Sequence, residues 1–440
     1  MIWRMPHWSP RLTMPACLSL RCSAICCLAK FPACSQSLAQ RSSLDLPSTS
    51  RAGKHAQPDP DSLTRKAAKR VNRPLGGRDM DYGIFNLMNR RHPSQTVPQV
   101  ISETVEQVQA AESAGFGISW FTEHHFSNYS LSPSPLMMIG HVAPQTLRIR
   151  LGSAVVLPAL YQPARLLGEI SFADCLSEGR LVLGLGSGYQ AYELARFGVE
   201  LSEASAITNE WIDFLSKGLG QESFEYHGDY IDLPQTWFTA RSVQEPRPEI
   251  WIAGNSPGSQ RRAVTGDHPL FVSGFGRDVE TLAEIRAEAE ETWKHAGKSP
   301  DDLQFGTLRY CFVTDDKAEA LAFAENARYQ IRLSRYLRQG QTALDKPWLP
   351  EEAFEDEMSP EDILAWNPIG DAETVAEKLV EEIERVRPVH SALYMTIGDT
   401  PHEAAMRSIE KFGNDVVPLI EKSVGPLTVA GTPSPAYVAA

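Results

Sequence analysis

RLVLGLGSGY, residues 180–189, runs from one charged residue through an unbroken apolar stretch into a turn of glycine and serine. The apolar run is too short for a buried helix and does not alternate with polar residues. It therefore reads as a strand covered on both faces, which is how strands of a parallel sheet look when helices pack on each side. Segments of the same kind recur on both sides of it. Upstream they are DYGIFNLM (81–88), residues 116–121 and IRLGSAVVLP (149–158). Downstream they are EIWIAGNS (249–256), PLFVSG (269–274), GTLRYCFV (306–313) and HSALYMTIG (390–398).

Helical periodicity fills most of the intervals: residues 97–114, 135–143, 164–176, about 204–215, 279–296, 318–337, 372–386 and 401–420. Residues 224–233 read as a hairpin insertion, and residues 339–367, acidic and without clear period, as a long loop insertion. Eight strand–helix units over this length predict an α/β fold, a single-domain (β/α)8 TIM barrel with insertions. A doubly wound sheet is the runner-up, disfavoured by the count and by the lack of an early GxGxxG. In a barrel the residues just after each strand take priority as site candidates.

Charge divides the chain. Residues 1–79 hold 13 Lys/Arg against 4 Asp/Glu, a balance of +9, so the net −13 leaves the other 361 residues at −22. A body that acidic excludes nucleic-acid binding, which needs a basic face, and suits a cytoplasmic enzyme. No run of eighteen uncharged apolar residues is present, so no membrane span is expected. Five of seven cysteines (Cys17, Cys22, Cys26, Cys27, Cys34) lie in the first 34 residues, without zinc-finger spacing. Cys175 and Cys311 alone remain in the body, which fits a reducing compartment. Residues 1–79 read as a disordered basic extension: a transit-like segment, a secretory signal, or upstream DNA translated from a misassigned start, the last being preferred. The barrel is expected over 80–424 and a disordered tail over 425–440.

WFTEHHF, residues 120–126, follows the second strand. Adjacent histidines point in opposite directions in extended chain, so they are awkward as two ligands of one metal, and no metal site is assigned. Ordinary packing is a second reading. The third is acid/base work: a histidine side chain can exchange protons near neutral pH, so His124 or His125 can move a substrate proton, with Glu123 placed to orient it. GLGSGYQ (184–190) and AGNSPGSQRRA (253–263) follow neighbouring strands. Backbone amides and hydroxyls in such turns suit a phosphate, and plain turns and N-caps are the bland alternative. Ser187, Gly188 and Tyr189 in the first turn, and Asn255, Ser256, Gly258 and Ser259 in the second, are the cofactor candidates. With no Walker lysine, flavin mononucleotide (FMN) outranks a nucleoside triphosphate. Tyr82, Phe85, Trp120, Tyr189 and Trp251 are candidate pocket walls, with core packing equally open to each.

From residue 80 to about 423 the chain resembles the bacterial luciferase-like, flavin-dependent monooxygenases. The ordered set DYGIFNL, AESAGFGISWFTEHHF, SAVVLPALYQPARL, LSEGRLVLGLGSGYQAYELARFGVE, IWIAGNSPGS and NPIGDAETVAEKL carries the resemblance. It implies a (β/α)8 barrel that pairs as a homodimer. It also implies reduced FMN supplied by a separate flavin reductase, with O2 and a small organic substrate such as an aldehyde, ketone or terpene. Deazaflavin-dependent relatives usually carry a shorter Asp/Glu-His-Phe form, so EHHF leans towards FMN. By position His124 falls on the family's catalytic histidine. Ala154–Val155 falls on its cis peptide beneath the flavin, and Ser187, Asn255, Ser256 and Ser259 fall around the phosphate. The family often has arginine where this chain has Ser187 and Ser205. Losing both forks is expected to weaken FMN binding.

Overall fold

The computed structural model describes residues 80–339 and 346–427. All eight expected strands are present: β1 (Asp81–Asn86), β2 (Ile118–Phe121), β3 (Arg150–Ser153), β4 (Leu181–Leu185), β5 (Glu249–Ala253), β6 (Leu270–Ser273), β7 (Phe305–Tyr310) and β8 (His390–Tyr394). Each pairs in parallel with its neighbour in sequence, and β8 closes on β1 through Asp81 opposite His390. Closure decides for the barrel over the doubly wound sheet. The expected hairpin forms as Ser223–His227 against Asp232–Trp237. The extension 1–79 and residues 428–440 of the tail lie outside the described residues, as does part of the 339–367 insertion. Among the described residues no helix is long and apolar enough to cross a membrane.

Helix starts follow one local rule. Ser134, Gln162, Ser256 and Ser359 each cap a helix that begins with proline, their side chains accepting from Met137, Arg165, Ser259 and Asp362 backbone N–H groups. A cap oxygen satisfies one orphan amide, and proline has none to satisfy at that position. Three sequence expectations need correction. The 339–367 insertion is not all loop, because it contains the helix Pro360–Trp366. The strand expected over 306–313 breaks after Tyr310, and Phe312–Val313 pairs outside the barrel with Ile369–Gly370. A short helix, Ala191–Arg196, follows the β4 turn and was not expected. Six or seven residues give too few turns for a periodic signal.

Side chains alternate between barrel interior and helix layer. Trp120, Trp251, Phe271 and His390 fill the lower interior, where Trp120 Nε1 donates to His390 Nε2 at 2.8 Å and His390 Nδ1 faces Asp81. Gly152 is required opposite them, since a Cβ there would stand 2.4 Å from the Trp120 ring. On the outer face Thr307, Arg309 and Ser391 meet Glu382 of the helix Ala372–Val386. Glu382 accepts from Thr307 Oγ1 at 2.6 Å. Arg309 Nε lies 3.1 Å from the other carboxylate oxygen, close enough for an ion pair though too oblique for a hydrogen bond. The guanidinium also donates to Arg277 O at 2.9 Å and to Trp366 O, so it ties the loop after β6 to the barrel. Both charges are fully buried. Glu382→Ala leaves an uncompensated buried cation, and a loss of about 3–5 kcal/mol is expected in urea unfolding. A loss under about 1 kcal/mol would mean that water reaches the pair.

Candidate active site

His124 stands just beyond the end of β2. Its Nδ1 lies 3.2 and 3.3 Å from the two carboxylate oxygens of Glu193, which is buried on the short helix Ala191–Arg196. A carboxylate can only accept here, so Nδ1 carries the proton and Nε2 presents a lone pair. The Gln190 amide lies 3.1 Å from the same nitrogen. With Nδ1 protonated, it must be the amide oxygen that faces the ring, and Gln190 Oε1 is the atom otherwise left without a partner. His124 Nε2 makes no hydrogen bond among the described residues. The rings of Tyr129 and Tyr189 stand edge-on to the imidazole, with centroids 4.8 and 6.0 Å away.

Glu123 pairs with the second histidine rather than the first. It pairs with His125 Nε2 at 3.1 Å and accepts from Leu157 N at 2.9 Å; it does not touch His124. Burial raises its carboxyl above the usual range, against the pull of His125, Leu157 N and Tyr161. As the alternation of extended chain requires, His125 faces away from His124. With Glu123 it lines a groove of about 640 Å³ between the helices Pro135–Val142 and Pro163–Leu176. Glu193 joins the two histidines, since it also accepts from His125 N at 2.6 Å. Sequence reasoning missed Glu193 because a single glutamate in YELAR gives no signal of burial.

Beside His124 the mouth of the barrel is floored by rings. Phe275 stacks on Tyr310 at 4.3 Å, Tyr394 lies tilted against both, and Phe85 packs edge-on to Phe275 and Tyr394. Tyr310 Oη donates to Gln330, Gln330 Nε2 donates to Tyr129 Oη at 2.8 Å, and Tyr189 Oη donates to Tyr129 Oη at 3.2 Å. Burial, then the neighbouring Tyr189, holds the Tyr129 phenol well above its usual range, so it remains protonated. Of the five expected wall residues, Phe85 and Tyr189 stand at this mouth. Trp120 and Trp251 do not, because they pack deep against His390. Tyr82 does not either, because it points outward against Phe412.

The two glycine-rich turns end β4 and β5 at the same rim. Much of the first is explained by crowding from β3. A Cβ at Gly184 would stand 2.0 Å from Ser153 O, and one at Gly186 2.7 Å from Val155. The Ala154–Val155 peptide there is cis. Gly188 has φ +76°, the left-handed region that favours glycine. Ser187 is different, since its buried Oγ has no partner. In the second turn Asn255 is spent on structure, exchanging hydrogen bonds of 3.2 Å with the Ser273 backbone. Ser256 caps the helix Pro257–Thr265 through Ser259 N, and its Oγ lies 3.0 Å from Ser259 Oγ. Nothing crowds Gly258: a Cβ there would be 3.6 Å from Ser256 Oγ and 3.8 Å from Arg262 Nη1. The partnerless Ser187 hydroxyl and the uncrowded start of the helix Pro257–Thr265 fit a phosphorylated flavin.

Comparison with known proteins agrees with this geometry. The family model for luciferase-like monooxygenases matches residues 80–387. The uncharacterised protein y4vJ of Sinorhizobium fredii is 41% identical over 347 residues, covering 79% of this chain and 99% of that protein. The oxygenase component of a flavin-dependent trigonelline monooxygenase from Acinetobacter baylyi is 28% identical over 360 residues, covering 78% and 96%. Among solved structures, the monooxygenase RslO1 from Streptomyces bottropensis shares the fold with a TM-score of 0.67, at 21% identity over 77% of this chain and 99% of that one.

Proposed function

Because the chain belongs to the luciferase-like monooxygenase family, we propose that it uses reduced FMN and O2 to oxidise a small, largely apolar organic molecule at the C-terminal mouth of the barrel. The observation that carries this reading is His124. A buried carboxylate fixes its tautomer and leaves Nε2 without a partner among the described residues, between the rings of Tyr129 and Tyr189 and next to the turn that holds the partnerless Ser187 hydroxyl. Bound there, reduced FMN supplies the electrons that activate O2. Ser187, Ser256 and Ser259 hold its phosphate. His124 Nε2 takes or returns the proton that moves during oxidation, and Glu193 stabilises the imidazolium that results. Phe85, Tyr129, Tyr189, Phe275, Tyr310 and Tyr394 offer apolar surface to the substrate and keep water out. The A. baylyi relative is named as an oxygenase component, which favours a separate reductase as the source of reduced FMN.

Purified protein with FMN, a generic flavin reductase and NADH tests this on a panel of aldehydes, ketones, terpenes and N-methylpyridinium carboxylates. Mass spectrometry should find at least one product heavier by one oxygen atom. Two-electron products without added oxygen across the panel would replace this reading with a flavin- or deazaflavin-dependent reductase. A chain that binds flavin but turns nothing over would be a binding protein.

We also propose that two copies pair through the helices Pro135–Val142 and Pro163–Leu176. Met137, Phe172 and Leu176 on this face are 75%, 55% and 48% exposed, far more than apolar side chains of this size usually are. Sedimentation should give twice the chain mass at micromolar concentration, and Phe172→Glu should give the single chain. A wild-type monomer would refute the pairing.

A further inference from the structure

Arg262 sits in the last turn of the helix Pro257–Thr265, six residues after the Ser256 cap. Its Nη1 donates to Ser205 Oγ at 3.0 Å and to Asn209 Oδ1 at 3.1 Å, both on the helix Leu201–Gly218. Its Nη2 donates to Ser259 Oγ at 3.1 Å. Among the described residues no carboxylate pairs with it, its neighbour in sequence is another arginine, and its buried Nε has no partner. A partly buried guanidinium held only by neutral oxygens is an uncompensated charge, and such a charge calls for an anion.

The serines point the same way. A hydroxyl whose oxygen already accepts from Arg262 must send its own proton elsewhere. Ser205 therefore donates away from the guanidinium, while Ser256 and Ser259, whose hydroxyls lie 3.0 Å apart, use one proton between them and leave the other to point outward. Ser187 Oγ is free, and the start of the helix carries no acidic residue in its first turn. Resting on the flavin reading above, we infer that Arg262 clamps the terminal phosphate of FMN. It would take the place of the two arginines absent at Ser187 and Ser205, with Ser205, Ser256 and Ser259 as its partners. A doubly charged phosphomonoester matches this donor set better than the singly charged internal diester of a deazaflavin cofactor.

Flavin fluorescence titrations of the apoprotein test the assignment, with FMN, riboflavin and a deazaflavin cofactor as ligands. Wild type should prefer FMN over riboflavin at least tenfold. Arg262→Gln should weaken FMN binding about 10–50-fold and leave riboflavin unchanged, which erases the preference. Arg262→Lys keeps the charge without the fork and should fall between. Thermal melts of both variants check that the barrel is intact. An unchanged FMN-to-riboflavin ratio in Arg262→Gln would overturn the assignment while leaving the flavin reading in place. So would deazaflavin binding tighter than FMN. A wild type that binds no flavin would overturn both.

Discussion

His124→Ala loses about two to four orders of magnitude in kcat and keeps its FMN affinity within about threefold. The two halves of this expected result have separate causes. The phosphate donors lie after β4 and β5, and none of them touches His124. The imidazole keeps one ring nitrogen without a partner among the described residues, beside the rings of Tyr129 and Tyr189, so proton transfer is assigned to it. Because the substitution also strips Glu193 of a partner, His124→Gln is the control. A glutamine amide can still donate to Glu193 but cannot exchange a proton near neutral pH. Both variants should be equally inactive, and the glutamine variant should melt closer to wild type. Full turnover in either would remove His124 from the chemistry.

Glu193 gives the second large effect. Glu193→Gln keeps an acceptor for His125 N, now 2.6 Å from the carboxylate, but removes the negative charge beside the imidazole. A drop of about 10²-fold in kcat is expected. FMN affinity should stay within about threefold, because Glu193 touches none of the phosphate donors. Glu193→Ala should be worse, since it also leaves the His125 amide unsatisfied, at a stability cost of about 1–3 kcal/mol. If Glu193 were merely structural, Glu193→Gln would lower the melting temperature and leave kcat unchanged in the folded fraction.

The barrel was legible because each strand is a short apolar run ending in a turn or a chemical motif, and the number of units matched a closed ring. His124 was legible for the same reason: EHHF stands where a strand delivers its side chains to the rim. The direction of individual side chains was not. In a parallel barrel both faces of a strand are buried, so an apolar run does not say which parity faces inward. Tyr82 was taken for a wall and faces the helices, because Gly83 and Phe85 hold the inward positions. Long-range pairings were hidden too. Glu193 is 69 residues from His124, and Arg262 is 57 from Ser205. Glu123, the acid adjacent in sequence, could serve either histidine, and the sequence did not say that it pairs with His125. Arg262 comes from the next strand–helix unit, and the pairing of β4 with β5 brings it to Ser205.

A crystal structure of the protein soaked with FMN bears most directly on the claim that one end of the barrel holds a single flavin between the β4 and β5 turns and His124. The account predicts the phosphate within hydrogen-bonding distance of Arg262, Ser256 and Ser259, and the isoalloxazine beside His124 Nε2 and the Ala154–Val155 peptide. Flavin density in the groove between the helices Pro135–Val142 and Pro163–Leu176, with the barrel mouth left to solvent, would contradict it.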